Sequence, residues 1–233
     1  MLSVHKFGGT SVGSAERYAA VADIVEGLEG ERVVVVSAMS GTTNALIAGA
    51  RAASEGDEAR SDEARTALLE RHLATVEALL GGSPERDAVA AYVEERLDDY
   101  RRFCRSIATL GEFTVRAGDA VASIGEEMSC RILAALLRRR GHHAEAVSAT
   151  RLVRTDDAFG AARPDMAATR EAADAILRPL LAESVVPVVT GYIGATATGV
   201  TTTLGRGGSD YSAAILGAAL GADEVCIWTD VDG

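Results

Sequence analysis

Residues 2–14 read Leu-Ser-Val-His-Lys-Phe-Gly-Gly-Thr-Ser-Val-Gly-Ser. A strand-sized apolar run ends at Lys6-Phe7, a glycine-rich turn follows, and from Ser14 the positions Val21, Ile24, Val25 and Leu28 recur with helical spacing. Strand, glycine turn and helix together make a common anion cradle: glycines admit close backbone approach, and the free amides and dipole of the helix start favour negative charge. Neither standard nucleotide signature is present, since GxxxxGK[ST] is absent and no GxGxxG follows a strand. Gly9-Thr10-Ser11-Val12-Gly13 also fits GxSxG, the nucleophile elbow of serine hydrolases. An elbow needs an oxyanion amide from an earlier loop, but only eight residues precede Gly9, and His72, His142 and His143 are the only later histidines. The phosphate-cradle reading is therefore preferred.

Outward from this unit, residues 32–37 form a β-branched run of the kind buried on both faces of a parallel sheet, followed by a polar loop over 39–44. Two charged, helix-periodic segments, 58–80 and 84–110, read as a helical insertion. A helix is predicted over 126–140, closed by Gly141, with Arg138, Arg139 and Arg140 at its solvated C-terminal end. A strand near 144–147, a loop over 154–165, a helix over 167–181, a buried strand over 185–190, an Ala-rich helix ending at Leu220 and a strand over 224–229 complete the pattern. The βα alternation predicts one three-layer α/β/α domain over 1–233 with a mainly parallel sheet and the insertion at about 58–110. Its end just past a strand gives the expectation of a chain truncated at the C-terminus.

The composition narrows the function. The formal net charge of -11 argues against a nucleic-acid partner. The longest apolar runs are strand-sized, far below the ~20 residues of a membrane helix, and the N-terminus shows no signal-peptide pattern, so a soluble protein without a membrane partner is expected. Cys104, Cys130 and Cys226 are scattered in apolar surroundings without metal-site spacing, which suits a reducing cytoplasm. Of the 23 basic residues only Lys6 is a lysine, and it stands directly before Phe7-Gly8-Gly9.

A second glycine-rich loop, Gly205-Arg206-Gly207-Gly208-Ser209-Asp210, opens another helix, where Ser209 or Asp210 would serve as an ordinary cap. Two anion-cradling loops in one α/β domain point to a substrate with two negative ends or to two anionic substrates. Gly125-Glu126-Glu127 adds acidic residues at the predicted start of a helix, where they are also ordinary dipole partners.

In order and spacing, Lys6-Phe-Gly-Gly-Thr-Ser11, Ser37-Ala38 with Thr43-Asn44, Gly125-Glu126 with Met128-Ser129, Arg154-Thr-Asp156 before Phe159-Gly160, Thr201-Thr-Thr-Leu-Gly-Arg-Gly-Gly-Ser-Asp-Tyr211 and Trp228-Thr-Asp-Val231 resemble the aspartate kinases of the amino acid kinase superfamily, across the whole chain. The resemblance implies an amino acid kinase (carbamate kinase-like) fold and Mg²⁺-ATP-dependent phosphorylation of the side-chain carboxylate of L-aspartate, giving 4-phospho-L-aspartate on the route to lysine, threonine and methionine. By resemblance Lys6 and Asp210 are catalytic. Ser37, Thr43, Glu126 and Arg206 bind the substrate, with Glu126 on the α-ammonium and Arg206 on the α-carboxylate. Lys6, Gly8, Gly9, Ser11, Thr229 and Asp230 face ATP. A cytoplasmic enzyme that is a homo-oligomer at full length is implied. The family's later ATP-site segment and its regulatory ACT domains are absent from these residues. The alternative is a non-catalytic aspartate-binding fragment or subunit of a full-length aspartate kinase.

Overall fold

Val33, Val34, Val35 and Val36 are each 0% exposed, a burial that a strand reaches only when both faces of its sheet are covered. They belong to β2 in the computed structural model, which describes residues 1–205 and 207–229. The elements are β1 (Leu2–Phe7), α1 (Ala15–Glu26), β2 (Glu31–Val36), α2 (Thr42–Ser54), α3 (Glu58–Leu80), α4 (Glu85–Leu110), α5 (Val115–Arg139), β3 (Ala144–Val147), β4 (Arg154–Thr155), α6 (Met166–Ala182), β5 (Val186–Thr190), β6 (Ile193–Thr196), β7 (Thr201–Thr203), α7 (Gly208–Leu220) and β8 (Glu224–Trp228). Five strands pair in the order β3-β5-β2-β1-β8, all parallel. A separate small sheet, β4-β6-β7, pairs β4 with β6 in parallel and β6 with β7 antiparallel.

Strand alternation sorts the side chains into the two outer layers. Phe7, Val34 and Val36 enter the core built with α1 to α5, whereas Leu2, Val4, Val33 and Val35 enter the core built with α6 and α7. Lys6 shares the parity of Leu2 and Val4 and so faces the α7 layer. β1 is also where the strand order reverses, with β2, β5 and β3 to one side and β8 to the other. Open α/β sheets bind ligands outside the carboxyl ends of their strands at such a reversal.

The structure shows the three-layer, mainly parallel architecture and corrects several local expectations. The helix expected from residue 126 begins at Val115, so Glu126 lies in mid-helix rather than at an N-terminus. Gly118 and Gly125 obscure that helix in the sequence; Thr114 starts it by accepting a hydrogen bond from the Ala117 amide at 3.1 Å. The loop expected over 39–44 ends early, because α2 starts at Thr42. The three arginines at the end of α5 are fasteners rather than a solvated helix end. Arg138 forks onto Glu85 at 2.7 and 2.8 Å, Arg139 donates to the Leu79 carbonyl, and Arg140 reaches Asp23 at 2.6 Å. The small sheet was not expected, its strands being only two to four residues long.

Gly125 marks where α5 presses on the loop after β2: a Cβ there would lie 2.9 Å from Ala38 Cβ and 3.0 Å from Thr42 Cγ2. Inside a free helix Gly→Ala gains up to about 1 kcal/mol, but overpacking at such a contact costs about 1–3 kcal/mol. Gly125→Ala is therefore expected to lower stability by about 1 kcal/mol, seen as a fall in Tm of about 3 °C. A rise in Tm would show that the contact is loose.

Candidate functional site

At the carboxyl end of β1, Lys6 Nζ lies 2.6 Å from Asp210 Oδ1, in the first turn of α7. The lysine side chain is 12% exposed and the aspartate 54%. Gly8 lies beside the ammonium, and Gly9 packs so close to the loop after β2 that a Cβ would meet the Ala38 carbonyl oxygen at 2.8 Å. The Ser40 amide donates to the Gly9 carbonyl at 3.1 Å, and Arg71 of α3 donates to the Ser40 and Gly13 carbonyls at 2.7 and 2.9 Å. The two loops after β1 and β2 are thus one unit. Ser11 lies in a short turn, its amide bonded to the Gly8 carbonyl at 3.0 Å. None of the three later histidines is placed with Ser11: His72 is buried on the Leu68 carbonyl, His142 lies 3.6 Å from Glu26, and His143 lines a separate cavity with Arg138 and Val185.

Two helix starts open on the same place. α2 follows Gly41 at φ 81° and α7 follows Gly207 at φ 74°, and neither is capped by a side chain. Ser209 and Asp210 therefore do not cap α7 as the sequence suggested; Asp210 is turned to Lys6 instead. Uncapped starts leave amide donors and positive dipole ends available to an anion.

Glu126 comes from the opposite layer. It is 3% exposed, its Oε2 has no hydrogen-bond partner among the described residues, and burial pushes its carboxyl up to about 8, against the opposing pull of the Ala38 amide and the Lys6 charge. Buried carboxylate oxygens are ordinarily hydrogen-bonded. Lys6, Ser37, Thr43, Glu126, Asp210 and Tyr192 line a single cleft of about 300 Å³, with Gly205 and Gly207 at its edge. Five of the predicted residues are thus brought together. Gly8, Gly9 and Ser11 stand behind the lysine, and Thr229 directly follows β8, beyond the pairing of Phe7 with Trp228. Arg206 and Asp230 lie outside the described residues. Tyr192 was missed by the sequence reading. Its position just past a buried strand at the sheet's carboxyl edge is the signal that would have found it, and its backbone is fixed by Ser212 Oγ at 2.9 Å and the Leu204 amide at 2.9 Å. Among the described residues no cluster of three His, Cys, Asp or Glu side chains is placed to hold a metal ion, and no helix is long and apolar enough to cross a membrane.

One consequence is measurable without a ligand. Glu126 keeps its proton up to about pH 8 in the fold but releases it near 4.5 when unfolded. The native chain therefore binds more protons between those values, and its stability falls as pH rises through that window. Tm is therefore expected to fall between about pH 5 and about pH 8.5. Glu126→Gln should abolish it; identical pH slopes for the two proteins would contradict the burial assigned to this carboxyl.

The sequence pattern of the amino acid kinase family matches residues 1–233. Over 99% of its length the chain is 38% identical to the lysine-sensitive aspartokinase 3 of Escherichia coli (strain K12), covering 49% of that protein. It is 39% identical, again over 99%, to the chloroplastic aspartokinase 1 of Arabidopsis thaliana, covering 40% of it. The crystal structure of E. coli aspartokinase III in complex with aspartate and ADP superposes with a TM-score of 0.91 at 37% identity, over 100% of this chain and 50% of that one. The chain spans about half the length, or less, of these relatives. With a sheet, a glycine-loop lysine and a full-length pattern match in agreement, the chain belongs to the amino acid kinase family.

Proposed function

We propose that this chain carries the amino-acid half of an aspartate kinase site and transfers a phosphoryl group from ATP to the side-chain carboxylate of L-aspartate. The observation that carries this reading is the pairing, in one cleft, of a buried carboxyl lacking a donor with an ammonium and two uncapped helix starts. A zwitterionic dicarboxylate suits that arrangement. Its ammonium would give Glu126 the missing donor and favour the ionised carboxylate. Its carboxylates would face the helix starts, with Ser37 and Thr43 on the wall. By resemblance Arg206 would take the α-carboxylate through a two-pronged bond; its neighbours Gly205 and Gly207 already border the cleft. The related E. coli structure, obtained with aspartate and ADP, supports the same ligand pair.

The attacking carboxylate has a free pKa near 3.9, so it is ionised at neutral pH and no base has to be supplied. Charge is the difficulty: each approach of two anions to about 4 Å costs about 4 kcal/mol at an effective dielectric of about 20. Lys6 offsets this, and Asp210 orients it. MgATP supplies the phosphoryl group. The glycines beside Lys6 leave room for its phosphates, and Ser11, Thr229 and Asp230 are the remaining nucleotide contacts implied. With no three-carboxylate cage among the described residues, Mg²⁺ would be carried largely by phosphate oxygens and water. A cytoplasmic setting and a homo-oligomer at full length belong to the same proposal. Because the chain spans about half of its relatives, a second reading is kept: an aspartate-binding piece that needs the rest of the protein to turn over.

Calorimetry with L-aspartate and with MgATP, beside a coupled ADP-release assay, tests both. The kinase reading expects both ligands to bind and ADP release to depend on aspartate. Lys6→Ala is expected to lower kcat by about 100-fold or more, with aspartate affinity within about threefold, and Arg206→Ala to raise the aspartate KM at least about tenfold. Aspartate binding without turnover selects the second reading, and no aspartate binding removes both.

A further inference from the structure

Asp119 lies on α5 two turns before Glu126, on the same side of the helix. It is 3% exposed and plays no part in the contacts assigned above. Its Oδ2 accepts from the Gly160 amide at 2.9 Å and the Thr203 amide at 3.0 Å, and its Oδ1 accepts from the Thr203 hydroxyl at 2.7 Å. The Thr203 carbonyl in turn accepts from the Ala162 amide at 2.8 Å. Among the described residues its hydrogen-bond partners are two backbone amides and one hydroxyl, and no lysine or arginine pairs with it. Burying a carboxylate without a cation is costly, and an apolar side chain would fill the same space at less cost. Core packing alone does not account for it.

The three bonds join two bodies that share no β-ladder. α5 packs on the five-stranded sheet, whereas Thr203 ends β7 in the small sheet and Gly160 belongs to the loop beside it. Only Leu204 separates Thr203 from Gly205, which borders the cleft. Asp119 therefore fixes the start of the loop that leads to α7 and Asp210, using the same helix that carries Glu126.

We propose that Asp119 is a positioning residue for substrate binding: it sets the separation between Glu126 and the cleft residues Gly205 and Gly207, and with it the width of the pocket that grips the amino acid. The proposal rests on the aspartate kinase reading. The step it controls is binding, not phosphoryl transfer.

Three variants separate the possibilities. Asp119→Ala removes the latch. Asp119→Asn keeps its shape, since the amide oxygen can accept from both backbone amides while the amide nitrogen donates to a reversed Thr203 hydroxyl. Thr203→Val removes the hydroxyl bond alone. Steady-state kinetics are expected to show the aspartate KM raised about tenfold or more in Asp119→Ala, with kcat and the MgATP KM within about threefold. Recovery of most of the loss in Asp119→Asn and a smaller rise in Thr203→Val are also expected. Hydrogen exchange at the Thr203 and Gly160 amides should quicken in Asp119→Ala while the β1 amides stay protected. An unchanged aspartate KM, a parallel loss for both substrates, or an Asn variant as impaired as the Ala variant overturns the proposal. If Asp119→Ala does not fold, Thr203→Val decides: an aspartate KM raised with kcat and the MgATP KM little changed supports the latch, and an unchanged aspartate KM overturns it. If the wild-type chain does not phosphorylate aspartate, the functional reading fails separately. The latch is then judged in Asp119→Ala by exchange at the Thr203 and Gly160 amides and by the aspartate Kd, and an Asp119→Ala chain that matches wild type in both overturns it.

Discussion

The position of one ammonium group constrains the rest of this structure. Lys6 is the penultimate residue of the first strand, and the parity of that strand turns it toward the layer containing α7, where Asp210 meets it at 2.6 Å. With one partner more than half exposed, such a pair contributes little to stability, about 0–1 kcal/mol. Its consequence is orientation: it joins the start of the chain to its last helix and holds a cation where the strand order reverses. The doubly covered sheet, with its fully buried valines, makes that position rigid.

An acidic group arrives from the other layer. Glu126 projects from α5, on the face of the sheet that Phe7 and Val36 pack against, so the cleft lies over the strand ends and is reached from both sides. Desolvation keeps this carboxyl protonated near neutral pH, and the missing donor at Oε2 is the reason a cationic ligand end would bind. Burial and charge recognition thus act in sequence: the fold suppresses the ionisation that a bound ammonium would restore. The wall between the layers is made by two loops pressed together at Gly9 and by α5 pressed on one of them at Gly125, where a single added carbon would collide.

The parallel sheet was legible because doubly buried strands read as unbroken β-branched runs, and the glycine loops because their residue types leave few other uses. Lys6 stood out as the only lysine of the chain. The reach of α5 was not legible: its first turns carry Gly118 and Gly125, which local propensity counts against a helix, and tertiary packing overrides that. Nor were β4, β6 and β7, whose two to four residues offer too little periodicity to detect. Asp119 could not be recognised either, since its three donors come from residues 160 and 203, and nothing in the sequence brings those together.

The lone lysine allows a direct test of where its charge acts. In protein labelled with ¹⁵N at the lysine side chain, Lys6 supplies a single ammonium resonance. A cleft shared by both ligands predicts that this resonance shifts when MgADP is added, shifts again when L-aspartate follows, and loses the second shift in Glu126→Gln. A resonance that moves with neither ligand, in a chain that calorimetry shows to bind them, would contradict the placement of the ammonium at the centre of the site.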